Sequence, residues 1–153
     1  DEYVESFALA TFTSNTRSSC QFNLLKPFHA PWHSTRGRLG GLKPHGYTRI
    51  GPALRHAQEL LLNESVRRRM IFLITDGKPC DYDRYEGRYG MQDVKKAIEV
   101  GQLNGIQTHA FAVEKQALES FPEMFSRHDY DVLSRPEALA GTMCKVFARL
   151  LAR

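Results

Sequence analysis

The sequence predicts an α/β fold of the doubly wound kind, a mostly parallel sheet with helices on both faces, from three observations. Residues 70–74 are five apolar residues in a row, Met70-Ile71-Phe72-Leu73-Ile74, without the alternation of a half-exposed strand. That run stops at once in Thr75-Asp76-Gly77-Lys78-Pro79. It lies between two stretches of helical period, residues 49–63 and 91–104, and a further strand-like run follows at 106–113, which is the β-α-β alternation of a parallel sheet. Periodicity alone does not separate a short apolar strand from a buried helix, but the brevity of the run and its Gly77 and Pro79 stops favour the strand.

In chain order, residues 6–12 are apolar enough for an inner strand, and 13–18 form a polar turn after it. Residues 20–25 make a second strand, so the two predict a hairpin with its second strand antiparallel at the sheet edge. Residues 26–35 hold Pro27 and Pro31 and predict a loop. His29 and His33 have the four-residue spacing that binds metal on a helix face, but Pro31 between them argues against that helix. A short helical turn is expected over 36–43. Residues 49–63 follow as an amphipathic helix, with Ile50, Ala53, Leu54, Ala57, Leu60 and Leu61 on one face. Thr48 stands at its start, either as a helix cap or as a ligand hydroxyl. The stretch 41–48 imitates a phosphate-binding loop, yet Tyr47 occupies the place of the required lysine and no strand leads into it.

After the strand, Asp76 falls at the carboxyl edge of the sheet, where open α/β folds bind ligands. Residues 76–89 read as a polar loop in which Tyr82, Tyr85 and Tyr89 alternate with Arg84, Glu86 and Arg88, the composition of a binding surface. The loop lacks the downstream glutamate of a helix-loop-helix calcium site. The helix of residues 91–104 should bury Val94, Ala97, Ile98 and Leu103 and end at Gly105. His109 reads as a strand residue with a satisfied hydrogen bond. Short helical turns interrupted by Pro122 are expected over 117–125, a last strand over 130–133, and a closing helix over 136–151.

With 153 residues the chain has the size of one domain, and 42% hydrophobic and 25% charged residues place it among ordinary globular proteins. The net charge of +4 is scattered, with Arg67-Arg68-Arg69 its one basic run, so nucleic acid is not an expected partner. Cys20, Cys80 and Cys144 form no CxxC pair and suggest a reducing compartment. No stretch approaches the ~20 apolar residues of a membrane span, and the first residues do not resemble a signal peptide, so a cytoplasmic location is expected.

Gly46-Tyr47-Thr48-Arg49-Ile50-Gly51-Pro52-Ala53-Leu54, followed by a strand ending in Thr75-Asp76-Gly77, resembles the von Willebrand factor A domain. The resemblance extends over essentially the whole chain. It is closest to the A domain at the C-terminus of the NorD and CbbO proteins, through Thr75-Asp76-Gly77-Lys78-Pro79, Tyr85-Glu86-Gly87-Arg88-Tyr89-Gly90 and Asp93. In that family an Asp-x-Ser-x-Ser motif, a threonine before a helix and an aspartate after the fourth strand hold a divalent cation. Thr48 and Asp76 match the second and third, and Asp-x-Ser-x-Ser is absent from the sequence. The resemblance therefore implies one domain over residues 1–153 that lacks its first strand and first helix, with an incomplete Mg2+ or Mn2+ site. That strand would sit between the strands at 7–12 and 70–75, leaving a gap or a forced direct pairing there.

The resemblance further implies a non-catalytic binding module that works beside a MoxR-type AAA+ ATPase. Relatives of this kind serve maturation of nitric oxide reductase or reactivation of rubisco. A carboxylate of the target enzyme complex would complete the coordination of the cation, and Tyr85, Glu86, Arg88 and Tyr89 are the expected partner contacts. The alternative is a metal-dependent hydrolase or phosphoryl-transfer enzyme using Asp76, for which Asp81, Asp83 and Lys115 are available as assisting groups, at no recognised spacing.

Overall fold

The computed structural model describes residues 6–113 and 117–152. Strands β1 (Leu9–Thr16) and β2 (Ser19–Lys26) form an antiparallel hairpin with Phe12 opposite Phe22. Helices α1 (Trp32–Leu39) and α2 (Ile50–Leu62) follow. Strand β3 (Arg69–Thr75), helix α3 (Gly87–Leu103) and strand β4 (Ile106–Ala112) make the expected β-α-β unit. Helix α4 (Ala117–Met124), strand β5 (Tyr130–Val132), a 3-10 turn (Pro136–Ala138) and helix α5 (Leu139–Leu151) complete the chain.

The strands β3, β4 and β5 form one parallel sheet, with Leu73 opposite Ala110 and Ala110 opposite Tyr130. Its two faces are covered separately. On one, Leu73, Ala110 and Ala112 pack with Ile50 and Leu54 of α2, Val94, Ala97 and Ile98 of α3, and Phe121 and Met124 of α4. On the other, Phe111 packs with Val146 and Leu150 of α5, and Met70 and Phe72 lean on the same cluster. Each helix presents one apolar stripe to the sheet, so helices on both faces leave the central strand dry.

The hairpin is a separate two-stranded sheet, and among the described residues no ladder joins β1 to β3. Phe12 of β1 and Ile71 of β3 nevertheless pack against the same core. The hairpin is held to the rest by a bridge between Ser14 and Tyr47.

Several local expectations differ from the structure, among them the inward Leu103, which is 87% exposed at the end of α3. Residues 26–35 are not all loop, because α1 starts at Trp32 with Pro31 as its N-cap; proline breaks a helix interior but is compatible with its first positions. The helix begins four residues ahead of the expected 36–43 turn and ends at Leu39. Helix α3 starts at Gly87, inside the expected loop. Helix α4 runs unbroken through Pro122, anchored by buried Phe121 and Met124. The run at 70–74 is a strand, but it is less buried than its composition implies, with Ile74 46% exposed.

Candidate functional site

Three segments meet at the carboxyl edge of β3. Thr48 and Cys80 exchange backbone hydrogen bonds of 3.0 and 3.1 Å, which ties the entry to α2 to the loop that follows Asp76. One residue earlier, Tyr47 and Ser14 exchange a second pair, and the Tyr82 N–H donates to the Asn15 carbonyl, so the end of β1 joins both loops. Gly46 makes the approach feasible: it has φ 71°, and a side chain there would collide with the Thr13 hydroxyl, which donates to the His45 carbonyl.

Thr48 is not the helix cap. The N-cap of α2 is Arg49, without a side-chain capping bond, and Thr48 is held in an extended bridge, which leaves its hydroxyl with no capping task. Asp76 is exposed at the tip of β3, and among the described residues no ion pair engages its carboxylate. The neighbouring Lys78 turns to Glu119 instead, at 3.2 Å.

Behind these two residues lies a network that the sequence did not disclose. Arg49 is 6% exposed; its Nε donates to Asp81 at 3.1 Å and its guanidinium stacks on the Tyr85 ring at 4.4 Å. Burial pushes the Asp81 carboxyl up, but the neighbouring Ser14 hydroxyl, the Arg49 guanidinium and the Asp83 N–H outweigh it and hold the group below its ordinary value. The Ser14 hydroxyl faces that carboxylate without reaching hydrogen-bond geometry. Tyr85 Oη accepts the Gly51 N–H at 3.1 Å and donates to Asp93, which in turn takes both guanidinium nitrogens of Arg55 at 2.9 and 3.0 Å. Burial first, and then the bond to Asp93 and its charge, raise the Tyr85 phenol well above its ordinary value. Gly51 belongs to the network by its size, since a side chain there would strike Asp93 and the Tyr85 hydroxyl. Arg84, at φ 59°, closes the intervening turn in a left-handed conformation that costs about 1 kcal/mol or more.

The network corrects one expected partner contact. Tyr85 is 1% exposed and its hydroxyl is engaged on both sides, so it is a core residue and presents no surface. Glu86 is the exposed N-cap of α3, and Arg88 and Tyr89 lie exposed in its first turn rather than on a loop. Tyr82 is the most exposed aromatic of the group at 76%. These four side chains form the accessible part of the expected surface.

The oxygen donors Thr48 and Asp76 suit a hard cation in kind, but they are two where an octahedral shell takes six. Among the described residues no group of three or more His, Cys, Asp or Glu converges as a metal site. His29 lies ahead of α1 and pairs with Glu64 at 3.1 Å, while His33 is within that helix, so the two do not share a helix face. Asp81 is committed to Arg49, Asp83 accepts the Arg17 N–H, and Lys115 lies outside the described residues. His109 is buried in β4 and bonds Asp131 through Nε2 at 2.9 Å, although its Nδ1 has no partner. Burial, stronger than the pull of Asp131, holds its imidazole below the ordinary value.

The sequence profile of the von Willebrand factor type A domain matches residues 3–139. Protein NorD of Stutzerimonas stutzeri is 39% identical over 137 residues, which are 89% of this chain and 22% of that protein. Protein NorD of Brucella suis biovar 1 is 34% identical over 144 residues, 94% of this chain and 23% of that protein. The chain thus spans less than a quarter of the length of these relatives. The fold is similar to the crystal structure of the SpRpn10 VWA domain, with a TM-score of 0.60 at 14% identity over 92% of this chain and 71% of that one. Proximal thread matrix protein 1 of the mussel byssus gives 0.64 at 19% identity, over 93% of this chain and 34% of that one. No helix among the described residues is long and apolar enough to cross a membrane.

Proposed function

The chain belongs to the von Willebrand factor type A family, and on that premise we propose that it is the metal-dependent recognition domain of a NorD-type accessory protein. Thr48 and Asp76 contribute oxygen ligands to Mg2+ or Mn2+. The cation supplies a place for a carboxylate of the target enzyme complex, and no bond of the target is broken. The observation that carries this reading is the Asp76 carboxylate, exposed at the carboxyl edge, without an ion pair among the described residues, and joined to Thr48 through the Cys80 bridge.

The reading includes a strand from outside this chain, lying between β1 and β3 and carrying the remaining oxygen ligands. It is supported by the edges of β1 and β3 that no strand among the described residues pairs with, and by the shared core of Phe12 and Ile71. The Arg49–Asp81 and Tyr85–Asp93 contacts hold the Thr48 and Asp76 loops in position, so that ordering them costs little when the target arrives. Glu86, Arg88, Tyr89 and Tyr82 supply contacts to a MoxR-type AAA+ ATPase or to its target, either nitric oxide reductase or rubisco. An exposed aromatic and arginine pair is the usual composition of such a contact. The site works in the cytoplasm.

Co-assembly of the full-length protein with its ATPase and target tests the reading. Complex formation should require Mg2+, disappear in EDTA and disappear on Asp76→Ala, while the double change of Arg88 and Tyr89 to alanine weakens it without unfolding the domain. Assembly that ignores both EDTA and Asp76→Ala overturns the metal-ligation reading.

A further inference from the structure

A cleft of about 250 Å³ opens beside the Asp76 loop, walled by Lys78 and Pro79, by Gly87 and Met91 of α3, and by α4. We propose that it receives a single basic side chain, lysine or arginine, of the recognised protein. The inference takes from the proposed function only that the occupant is a protein; the cleft and its chemistry stand without the metal.

Size, wall and rim all argue for this occupant. Ligand pockets for small molecules and cofactors begin at about 300 Å³, so the cleft is scaled to one long side chain. Pro79 and Met91 give it apolar walls, against which the methylene stem of lysine or arginine lies while its charged head stays at the mouth. At that mouth Glu119 and Glu123 project from α4 four residues apart, on one helix face. Ser120, between them and only 2% exposed, also lines the cleft, and its buried hydroxyl has no hydrogen-bond partner among the described residues. Rotation of that side chain toward the cleft lets its oxygen accept an incoming ammonium or guanidinium N–H, the donor it lacks.

Among the described residues that line the cleft the cation is Lys78, paired with Glu119 on the surface, with side chains 56% and 77% exposed. An exposed pair of this kind is weak and exchanges readily. Glu123 makes no ion pair among the described residues, which leaves a net negative charge at the mouth.

The test is an NMR titration of the 15N-labelled chain in EDTA with the methylamides of Nα-acetyl-lysine, Nα-acetyl-arginine, Nα-acetyl-norleucine and Nα-acetyl-glutamate. The two basic probes should shift the amides of Gly87, Met91 and Ser120 and compete with each other, and the norleucine and glutamate probes should not. Glu123→Gln should weaken the lysine probe about fivefold, and Glu123→Lys should abolish its binding and admit the glutamate probe. Asp76→Ala should leave the shifts from the lysine and arginine probes unchanged, so loss of the metal function and loss of this cleft are read separately. Glu123 is exposed, and its variants should keep the dispersed spectrum of the folded chain. Equal shifts from norleucine and lysine, or lysine shifts that survive the Glu123 variants undiminished, overturn the proposal.

Discussion

Strands β3 and β4 have the same length and the same kind of neighbours in the chain, and differ in their surroundings. Both are seven-residue strands between helices, β3 the more apolar of the two, and they pair with each other along their whole length. Yet β4 is buried at every residue but Gln107, whereas β3 is buried only at Leu73 and Thr75. The difference is lateral: among the described residues β4 has a strand on each side, and β3 has one on a single side. Cover from helices above and below does not close a strand whose edge is open. The edge that is open belongs to the strand that Asp76 follows.

The contrast is broken first by core truncation. Phe111→Ala in β4 empties a fully buried site between Phe72 and α5 and should cost about 3–5 kcal/mol in denaturant unfolding. Ile74→Ala in β3, at a residue 46% exposed, should cost under about 1 kcal/mol. Similar losses at the two positions would mean that β3 is buried in solution after all.

The second perturbation leaves the strands and enters the network behind the site. Tyr85→Phe removes the acceptor of the Gly51 N–H and the donor to Asp93, and should cost about 1–3 kcal/mol by the same measurement. An effect near zero would show that the hydroxyl is dispensable for stability.

Acid sharpens the same division, because two of the buried titrating groups sit in well-packed surroundings. His109 is held below its ordinary 6.5, so the unfolded chain takes up its proton first. Its contribution to stability is complete above about pH 6.5 and declines as pH falls below that value. Asp81, held below 3.8, contributes fully above that value and loses its contribution as pH falls through its lowered folded value. At the alkaline end the raised Tyr85 phenol favours the folded state until pH climbs past about 10, where the unfolded chain begins to ionise. Thermal unfolding across pH 4–9 should therefore show a shoulder near 6.5, which His109→Gln removes. Persistence of the shoulder in that variant would assign it to another group.

The smallest effect is on exchange kinetics. Amides of β4 should be protected from hydrogen exchange throughout, while those of β3 that face away from β4 exchange faster. A longer parent protein that supplies the proposed strand should slow them to the β4 level. Equal protection of both strands in this chain would contradict the open edge.

Helices α2 and α5, the body of α3 and the parallel β-α-β core were legible because they rest on periodicity and on abrupt stops such as Gly77-Lys78-Pro79 and Gly105. The hairpin was legible too, although its strands extend to Thr16 and Lys26, past the expected ends. What escaped depends on neighbours distant in sequence. Tyr85 sits in a polar stretch of alternating charges, and its burial follows from Arg49, Gly51 and Asp93, which are 36, 34 and 8 positions away. Pro31 breaks a helix by propensity and starts one here, because nothing in composition separates the N-cap from the interior. The exposure of Ile74 was unreadable for the same reason, since an apolar run reports what a strand needs and not which partners are present.

The central claim is that Asp76 and Thr48 form part of a divalent-cation site completed by a strand outside this chain. Calorimetric titration of Mg2+ and Mn2+ into this chain and into a longer form of the protein, each with and without Asp76→Ala, tests it most directly. The account predicts binding by the longer form alone, abolished by Asp76→Ala with no change in thermal stability. Absence of binding in both forms, or binding that survives Asp76→Ala, would contradict it.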